Sequence, residues 1–281
     1  MKHNEGKFTG AGGMALVYQS WHPDEGARAV LAIVHGLGEH GGRYMNVVNH
    51  LVPKGYVIYA LDHRGHGRSP GPRAFVNSWQ EFIDDVGAFI GMIAQQEAGL
   101  PFFLLGHSMG GNITLTYILR HPTSHHPDGV KAVIASAPAV GKLNVPPVLA
   151  FISRLLSGIA PKLSVATGLD ATAVSRDTAV VAAYQNDPLV HGQGTPRFAT
   201  EFAASAEWAM AHAHEFKPPL LLIHGDSDRL VNVQASRDFF AHVAHDNKKL
   251  IIYEGGYHES HNDIEYKRAV GDIEAWLEGH M

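Results

Sequence analysis

The feature that most constrains this chain is a series of short apolar runs separated by longer segments with the pattern of helices. Runs such as AVLAIVH and YVIYALD are apolar at every position but the last, so both of their faces must be buried, as in the strands of a parallel sheet. The segment from Ser78 to Gln96 has apolar residues at the i, i+3 and i+4 spacing of an amphipathic helix. This alternation predicts an α/β fold with a mostly parallel central sheet and helices on both faces. The runs are Ala29 to His35, Tyr56 to Asp62, Phe102 to Gly106, Val130 to Ser136, Leu220 to His224 and Leu250 to Tyr253.

Two parts of the chain depart from the alternation. Phe8-Thr9 and Met14 to Trp21 alternate around a glycine-rich turn, which predicts a leading hairpin. Between residues 138 and 206 the pattern is helical and polar, without another strand–helix unit, and the sheet then resumes with LLLIHG. We therefore predict a core of residues 1–137 and 207–281, with residues 138–206 inserted as a helical cap over one end of the sheet.

Composition and charge exclude several classes of function. The 281 residues carry a formal net charge of -5 without a dense basic run, so we expect no nucleic-acid partner. The absence of cysteine excludes disulfides, zinc–thiolate sites and a thiol nucleophile. The first residues lack the apolar core of a signal peptide, and no stretch reaches the roughly 18 apolar residues of a membrane-spanning helix. The sequence therefore predicts a cytoplasmic protein.

The pentapeptide GHSMG, from Gly106 to Gly110, matches the pattern G-x-S-x-G and lies between the apolar run FFLL and the helix-like segment NITLTYILRH. In a strand–turn–helix context this motif holds a serine hydroxyl out of a sharp turn at the end of the sheet. Glycine is needed on both sides because the turn crowds the neighbouring backbone. We therefore predict Ser108 as the nucleophile of an α/β-hydrolase fold. For the pentapeptide alone, the alternative is a glycine-rich turn without a chemical role.

In that fold the acid and the histidine follow the serine in this order. The run LLLIHG leads into a loop with two carboxylates, Asp226 and Asp228. We predict Asp228 as the acid because it lies farther from the strand, whereas Asp226 suits a turn residue that closes the loop. His258 follows the last apolar run, where an imidazole is able to reach Ser108. A solvated loop side chain is the simpler interpretation of either residue alone, but their order and their placement after strands favour a triad.

These residues predict ester hydrolysis through an acyl-enzyme. His258 would take the proton of Ser108 as its hydroxyl attacks the carbonyl carbon, and Asp228 would hold the imidazole tautomer and stabilise the imidazolium. The oxyanion needs two backbone N–H groups. We predict that of Met109, directly after the nucleophile, and that of Leu37, in the loop after the first long strand. The mechanism needs no cofactor and no metal.

A second glycine motif competes with this interpretation. GLGEHG, from Gly36 to Gly41, matches the dinucleotide-binding pattern G-x-G-x-x-G, and Asp62 stands near the place of a ribose-binding acid. A nucleotide-dependent oxidoreductase would, however, have a carboxylate from this turn beside its pyrophosphate. The motif also does not follow the first strand of the chain, and a dinucleotide site leaves the predicted triad without a role.

With these residues identified, the sequence resembles the monoacylglycerol lipase family of α/β hydrolases over nearly the whole chain. The selective block is HGLGEHGGRY, whereas GHSMGG is shared widely among esterases. The resemblance implies an apolar acyl tunnel under a mobile cap, and hydrolysis of monoacylglycerols to glycerol and a free fatty acid. The other matching blocks are LDHRGHGRS (Leu61 to Ser69), NDPLV (Asn186 to Val190), GDSDRLV (Gly225 to Val231) and YEGGYHESH (Tyr253 to His261).

In that family a Glu and an Arg of the first loop, and a His three residues after the catalytic His, line the pocket for the glycerol leaving group. The matching residues here are Glu39, Arg43 and His261. Tyr184, just before the DPL motif, is similar to a cap tyrosine that helps to close this pocket. Polar residues suit the task because a diol needs hydrogen-bond partners in a desolvated site. Without a substrate role, Glu39 and Arg43 would form an i, i+4 ion pair and His261 would be a surface histidine.

The resemblance also implies that the outer face of the cap contacts lipid. The segment VLAFISRLLSGIA, from Val148 to Ala160, has the composition for this face or for the tunnel wall, and equally for a helix packed on its own domain. We expect a small lipid ester as substrate, and a transient contact of the cap with a membrane or micelle surface that would make the protein peripheral to the membrane. The main alternative is a broader carboxylesterase or lysophospholipase with the same triad. A hydrolase-like binding protein without activity is a more distant one.

Overall fold

Eight strands form one central sheet in the computed structural model, which describes residues 1–123, 125–126, 129–143 and 147–281. Two further short strands, β7 and β8, pair with each other outside this sheet. The strands are β1 (Lys2–Thr9), β2 (Ala15–His22), β3 (Ala29–Val34), β4 (Tyr56–Leu61), β5 (Phe102–His107), β6 (Ala132–Ser136), β7 (Val165–Ala166), β8 (Gln193–Gly194), β9 (Leu220–Gly225) and β10 (Lys248–Tyr253).

The order of the strands in the central sheet is β1-β2-β4-β3-β5-β6-β9-β10. β2 is antiparallel to β1 and β4, and all the other neighbours are parallel. The leading hairpin and all six predicted strands are present. The prediction of a mostly parallel sheet is therefore confirmed.

Eight helices of the described chain surround the sheet, and strand β3 illustrates how both of its faces are covered. Val30 and Val34 pack into a core with α2 and α3, whereas Leu31 and Ile33 pack into a second core with α1 and α8. The prediction of helices on both faces is confirmed. None of these helices is both long and apolar enough to span a membrane. The helices are α1 (Met45–Leu51), α2 (Gln80–Gln96), α3 (Met109–Arg120), α4 (Pro147–Ile159), α5 (Thr178–Asn186), α6 (Pro196–Ala211), α7 (Val233–His242) and α8 (Tyr266–Glu278).

The chain leaves the sheet between β6 and β9, in the region where the sequence predicts the cap, and the described residues between these two strands are called the cap below. It forms α4, α5, the β7–β8 hairpin and α6 there. The predicted boundary at residue 206 falls within α6, which packs against α4 and also against α3 of the core. The division into a core and a cap stays a prediction, and residues 144–146 of the predicted cap lie outside the described residues.

The turn between β5 and α3 brings the helix backbone against the end of β3. A Cβ on Gly110 would lie 2.1 Å from the Val34 carbonyl oxygen and 2.3 Å from that of His35. A Cβ on Gly106 would lie 2.4 Å from the Gly110 carbonyl oxygen. Glycine is required at both positions, as the sequence predicts for a crowded turn.

We expect Gly110→Ala to lower the free energy of unfolding by about 2–3 kcal/mol, because the backbone carbonyls that it meets cannot move without displacing β3. Gly91→Ala is the matched control, since Gly91 lies within α2 and an added Cβ would have no neighbour within 4 Å. That exchange should raise stability by about 0.5–1 kcal/mol. Denaturant-induced unfolding measures both variants, and equal effects would contradict the close approach of α3 to β3.

Candidate active site

Ser108 stands at a strained turn, directly before α3. Its backbone has φ 56° and ψ −118°, a conformation that L-residues rarely adopt. The Ser108 N–H donates to the Ser136 carbonyl at 2.9 Å, and the Ser108 carbonyl accepts from the Ala139 N–H at 3.1 Å. Strand β6 and the loop after it therefore fix the turn that presents the serine side chain.

His258 and Asp228 are in direct contact. His258 Nδ1 lies 2.6 Å from Asp228 Oδ2, and the Asp228 side chain is fully buried. The other carboxylate oxygen, Oδ1, accepts the backbone N–H groups of Leu230 at 2.7 Å and Val231 at 3.0 Å. Because Nδ1 is bound to the carboxylate, Nε2 is the ring nitrogen left to accept a proton from a substrate or a nucleophile.

A second histidine, His224 on β9, supports the same carboxylate. Its Nε2 lies 3.0 Å from Asp228 Oδ2, and its Nδ1 lies 2.8 Å from the Ser236 hydroxyl. Burial alone would raise the pKa of Asp228, but the contacts with His258 and His224 outweigh burial and hold the pKa of this carboxyl far below its usual value. Asp228 is therefore ionised throughout the range in which His258 titrates.

The charge on Asp228 acts in turn on His258. Burial would lower the pKa of the imidazole, but Asp228 outweighs burial and raises the pKa above the ordinary value of 6.5. An imidazole with a raised pKa is a stronger base. Ser108 and His258 line the same cavity. No hydrogen bond joins Ser108 to His258 in this structure. The Asp–His pair of the predicted triad is therefore formed, and the Ser–His hydrogen bond is not.

The predicted oxyanion donors lie beside Ser108. Met109 is the first residue of α3, and Leu37 lines the cavity next to Gly36, where an added Cβ would lie 3.2 Å from Ser108 Cβ. Within the described part of the chain, the backbone N–H groups of Leu37 and Met109 have no hydrogen-bond partner. Free N–H groups beside a nucleophile suit an oxyanion hole, and the assignment of these two stays a prediction.

A cavity of about 470 Å³ extends from Ser108 and His258 into the cap. Most of its wall is apolar, with large contributions from α4 and α6. Next to the serine and the histidine, the wall also contains a polar group, Glu39, Arg43, Glu259 and Tyr184, here called the Arg43 cluster. The apolar side chains of α4 and α6 that line the cavity include Leu149, Ile152, Leu156, Phe198 and Phe202.

The Arg43 cluster is built around one buried guanidinium. Arg43 Nη1 donates to Glu39 Oε2 at 2.7 Å, and Nη1 and Nη2 donate to the two carboxylate oxygens of Glu259 at 2.7 and 2.8 Å. Glu39 Oε1 accepts the Tyr44 hydroxyl at 2.9 Å. The Arg43 guanidinium lies 4.6 Å from the ring centre of Tyr184. The i, i+4 ion pair of the alternative interpretation is thus present, and both of its residues line the cavity.

His261 lies behind this wall and is not among the residues that line the cavity. Its ring stacks on Tyr44 with 4.8 Å between the ring centres, and it meets His107 edge-on at 4.9 Å. The imidazole is buried, and burial lowers its pKa to about 4. Neither ring nitrogen has a hydrogen-bond partner among the described residues. The alternative of a surface histidine is therefore wrong, and the substrate role of His261 stays a prediction.

Two alternatives left open by the sequence have a structural answer. Asp226 is exposed, and its carboxylate accepts the Gly255 N–H at 2.7 Å, so it closes the loop as a turn residue. In the motif GLGEHG, the Gly36 N–H donates to Glu39 Oε1 at 2.6 Å. The carboxylate thus occupies the turn in which a dinucleotide site would bind pyrophosphate.

The buried carboxylate of Asp263 is one of the groups that attach the loop of His258 to the cap, beside the Glu259 N–H, which donates to the Val174 carbonyl at 2.8 Å. Asp263 Oδ2 accepts the Arg176 Nε–H at 2.7 Å and the Tyr257 N–H at 3.0 Å. Asp263 Oδ1 accepts the Arg176 backbone N–H at 2.8 Å. The residue before His258 and a cap segment therefore share one carboxylate.

The first loop is attached to the cap as well. His40 Nε2 lies 2.9 Å from Asp187 Oδ2, and the His191 N–H donates to the Gly38 carbonyl at 2.8 Å. The φ of Gly38 is 77°, and an added Cβ would lie 2.3 Å from the His191 carbonyl oxygen, so this approach requires glycine. The cap therefore lies directly against the loop that contains Leu37.

Three residues that support the site are not among those that the sequence predicts: Glu259, His224 and Asp263. Glu259 lies in the block YEGGYHESH, but its partner Arg43 is 216 residues away, and no local pattern joins the two. His224 precedes Asp228 by four residues at the end of a strand, a spacing that could have suggested contact. Nothing in the sequence signals Asp263.

The family model described as serine aminopeptidase, S33, matches residues 25–265. A monoacylglycerol lipase of Mycolicibacterium smegmatis is 40% identical over 280 residues, which are 99% of this chain and 98% of that protein. The chain belongs to the serine aminopeptidase S33 family of hydrolases. The resemblance to monoacylglycerol lipases that the sequence predicts is thereby confirmed. The protein is an ester hydrolase.

One relative of known structure shares the fold, and a further relative has a different described activity. The crystal structure of a Paleococcus ferrophilus monoacylglycerol lipase superimposes with a TM-score of 0.82 at 31% identity, and each chain is covered completely. A phospholipase of Bacillus subtilis is 34% identical over 248 residues, which are 88% of this chain and 93% of that protein. The predicted α/β-hydrolase fold is confirmed.

We expect Asp228→Asn to lower kcat by about three to four orders of magnitude, because the amide removes the charge that stabilises the imidazolium and favours the wrong tautomer of His258. Asp226→Asn is the matched control, two residues away on the surface, and should change kcat by less than about twofold. Turnover of a water-soluble ester measures both variants. A loss in Asp226→Asn with activity retained in Asp228→Asn would overturn the assignment of the acid.

Proposed function

We propose that this protein hydrolyses monoacylglycerols to glycerol and a free fatty acid, with Ser108, His258 and Asp228 as the catalytic triad. The observation that carries the proposal is the Arg43 cluster, a charged, hydrogen-bonding group in the wall of an otherwise mainly apolar cavity, beside Ser108 and His258. An apolar cavity suits an acyl chain, and a small polar group suits an alcohol with free hydroxyls. The 40% identical relative from Mycolicibacterium smegmatis is itself described as a monoacylglycerol lipase.

The reaction begins when His258 Nε2 removes the proton of the Ser108 hydroxyl as its oxygen attacks the ester carbonyl. The N–H groups of Leu37 and Met109 bind the oxyanion of the tetrahedral intermediate. His258 then donates the proton to the leaving glycerol oxygen, and the acyl group stays on Ser108. Water, activated by the same imidazole, releases the fatty acid.

The alcohol is recognised by buried charged groups. Glu39 and Glu259 offer carboxylate oxygens to the glycerol hydroxyls, Arg43 holds both carboxylates in place, and Tyr184 covers the guanidinium from the cap. His261 lies behind the cavity wall, stacked on Tyr44, and does not itself line the cavity. An ester that lacks the two free hydroxyls displaces water from these groups without offering a hydrogen bond in return, which costs more than a missing apolar contact.

A broader carboxylesterase or lysophospholipase is the second candidate. The observation in its favour is the 34% identical relative described as a phospholipase. The triad is common to both candidates, so the alcohol part of the substrate distinguishes them.

We expect fatty-acid release from monoacylglycerols and none from diacyl- or triacylglycerols of the same acid, because the buried Arg43 cluster leaves no apolar site for a second acyl chain. Ser108→Ala is the blank. Chromatographic measurement of released acid over the panel tests the proposal. Comparable turnover of all three classes would indicate a broad lipase, and release by Ser108→Ala equal to that of the wild type would contradict the triad.

The methyl ester of the same acid is the internal control. We expect Arg43→Ala to lower kcat/KM for the monoacylglycerol by about 10- to 100-fold, the effect of losing charge-assisted hydrogen bonds. The methyl ester should be affected much less. An equal loss on both substrates, or wild-type kcat/KM values that do not differ between them, would favour the broader esterase.

We further propose that the cap brings the enzyme to a lipid surface. Val148, Phe151, Leu155 and Ile159 follow one another at three- and four-residue spacing along α4, and their side chains are 71%, 69%, 56% and 73% exposed. Other residues of the same helix line the cavity. A helix with an apolar stripe on its outer side and cavity-lining residues on its inner side suits a lipid interface.

Phe151→Asp combined with Ile159→Asp should weaken binding to phosphatidylcholine vesicles by about tenfold or more, because two apolar side chains that would enter the lipid are replaced by charged ones. Ile264→Asp is the matched control, since Ile264 is also exposed, by 58%, but lies outside the cap. Vesicle co-sedimentation measures binding, and turnover of a water-soluble ester checks that the site is intact. Equal binding by the double variant and the control would refute the contact.

A further inference from the structure

The charges of the Arg43 cluster do not balance. One guanidinium faces two carboxyl groups, and Glu259 alone takes both of its terminal nitrogens at 2.7 and 2.8 Å. Glu39 adds a third hydrogen bond at 2.7 Å. The side chains of Arg43, Glu39 and Glu259 are at most 9% exposed, so water contributes little to the balance.

The directions in which the pKa values of Glu259 and Glu39 shift agree with this geometry. Burial would raise the pKa of Glu259, but Arg43 outweighs burial and lowers it, so Glu259 is ionised. Burial and the charge of Glu259 raise the pKa of Glu39. Whatever the state of Glu39, the positive charge of Arg43 is already cancelled by Glu259.

Other groups in the cavity wall do not change this result. Lys142 and Asp170 line the cavity with one charge of each sign, and both are exposed. His107 is buried, and burial together with His258 holds its pKa well below 6.5, so its ring is neutral. Arg43 is therefore the one fixed buried cation in the described wall of the cavity, and it is not free.

We propose that Glu259 determines the alcohol specificity of this enzyme: by holding Arg43 in a bidentate ion pair, it makes the site accept a neutral polyol and reject a phosphorylated alcohol. The inference rests on the function proposed above and concerns the same site. A phosphate group binds best to two N–H groups along one edge of a guanidinium, and Glu259 occupies the Nη1–Nη2 edge here. A phosphate brought beside Glu39 and Glu259 would also be repelled in a poorly hydrated site. Glycerol hydroxyls, in contrast, are able to donate to the carboxylate oxygens.

The test compares 1-octanoylglycerol with 1-octanoylglycerol 3-phosphate. The wild type should prefer the neutral substrate by at least about 100-fold in kcat/KM, as expected where like charges are brought together. Glu259→Gln keeps the shape of the side chain and removes the carboxylate charge from the Nη1–Nη2 edge of Arg43, so the ratio of phosphorylated to neutral turnover should rise about tenfold or more. Glu259→Gln combined with Arg43→Ala should lose this gain, which identifies Arg43 as the phosphate-binding group.

An unchanged ratio in a Glu259→Gln protein that still reacts with a serine-directed phosphonate would overturn the inference. The wild type provides a measurement that does not depend on the folding of any variant. Glycerol should inhibit turnover of a water-soluble ester more strongly than glycerol 3-phosphate at equal concentration and ionic strength, and equal or stronger inhibition by the phosphate would also overturn it. Failure of the proposed function is distinct, since it would show as no Ser108-dependent release from 1-octanoylglycerol.

Discussion

The backbone turn at Ser108 is the constraint on which the rest of the site depends. A left-handed conformation at a residue with a side chain costs on the order of 1–3 kcal/mol, and it persists here because β5, α3 and β3 approach so closely that Gly106 and Gly110 have no room for a Cβ. The parallel order of the sheet supplies the other groups. Since β5, β9 and β10 run in the same direction, the loops after them reach one edge. They carry Ser108 and His258 to the same cavity and Asp228 into contact with His258.

The cap is part of this arrangement as well as a cover for it. It hydrogen-bonds to the loop of His258 through Asp263 and to the first loop through Gly38. It also supplies most of the apolar residues of the cavity wall, those of α4 and α6 among them, and places Tyr184 on Arg43. A displacement of the cap would therefore alter the apolar cavity, the Arg43 cluster, and the loops that contain His258 and Leu37, all together. This coupling gives a physical reason for catalysis to respond to where the cap lies.

Local patterns in the sequence were sufficient for the strands, the helices, the turn at Ser108 and the contact of His258 with Asp228. Each of these follows from residues close together in the chain, or from the rule that parallel strands end at one edge. The partners of Arg43 were only half predicted, because Glu259 lies 216 residues from it and an ion pair of that range has no periodicity. The position of His261 behind the cavity wall depends on how its ring packs on Tyr44. The end of the cap depends on α6, which packs both on α4 and on α3. Packing of this kind is decided by the assembled fold.

The central claim is that Ser108 attacks its substrate with the oxyanion held by the first loop and the start of α3. The most direct measurement is a crystal structure of the protein after reaction with a phosphonate ester, together with peptide mapping of the adduct. The account predicts one adduct, on Ser108, with the phosphonyl oxygen within about 3 Å of the backbone nitrogens of Leu37 and Met109. An adduct on another residue, or a phosphonyl oxygen that points away from both N–H groups, would contradict it.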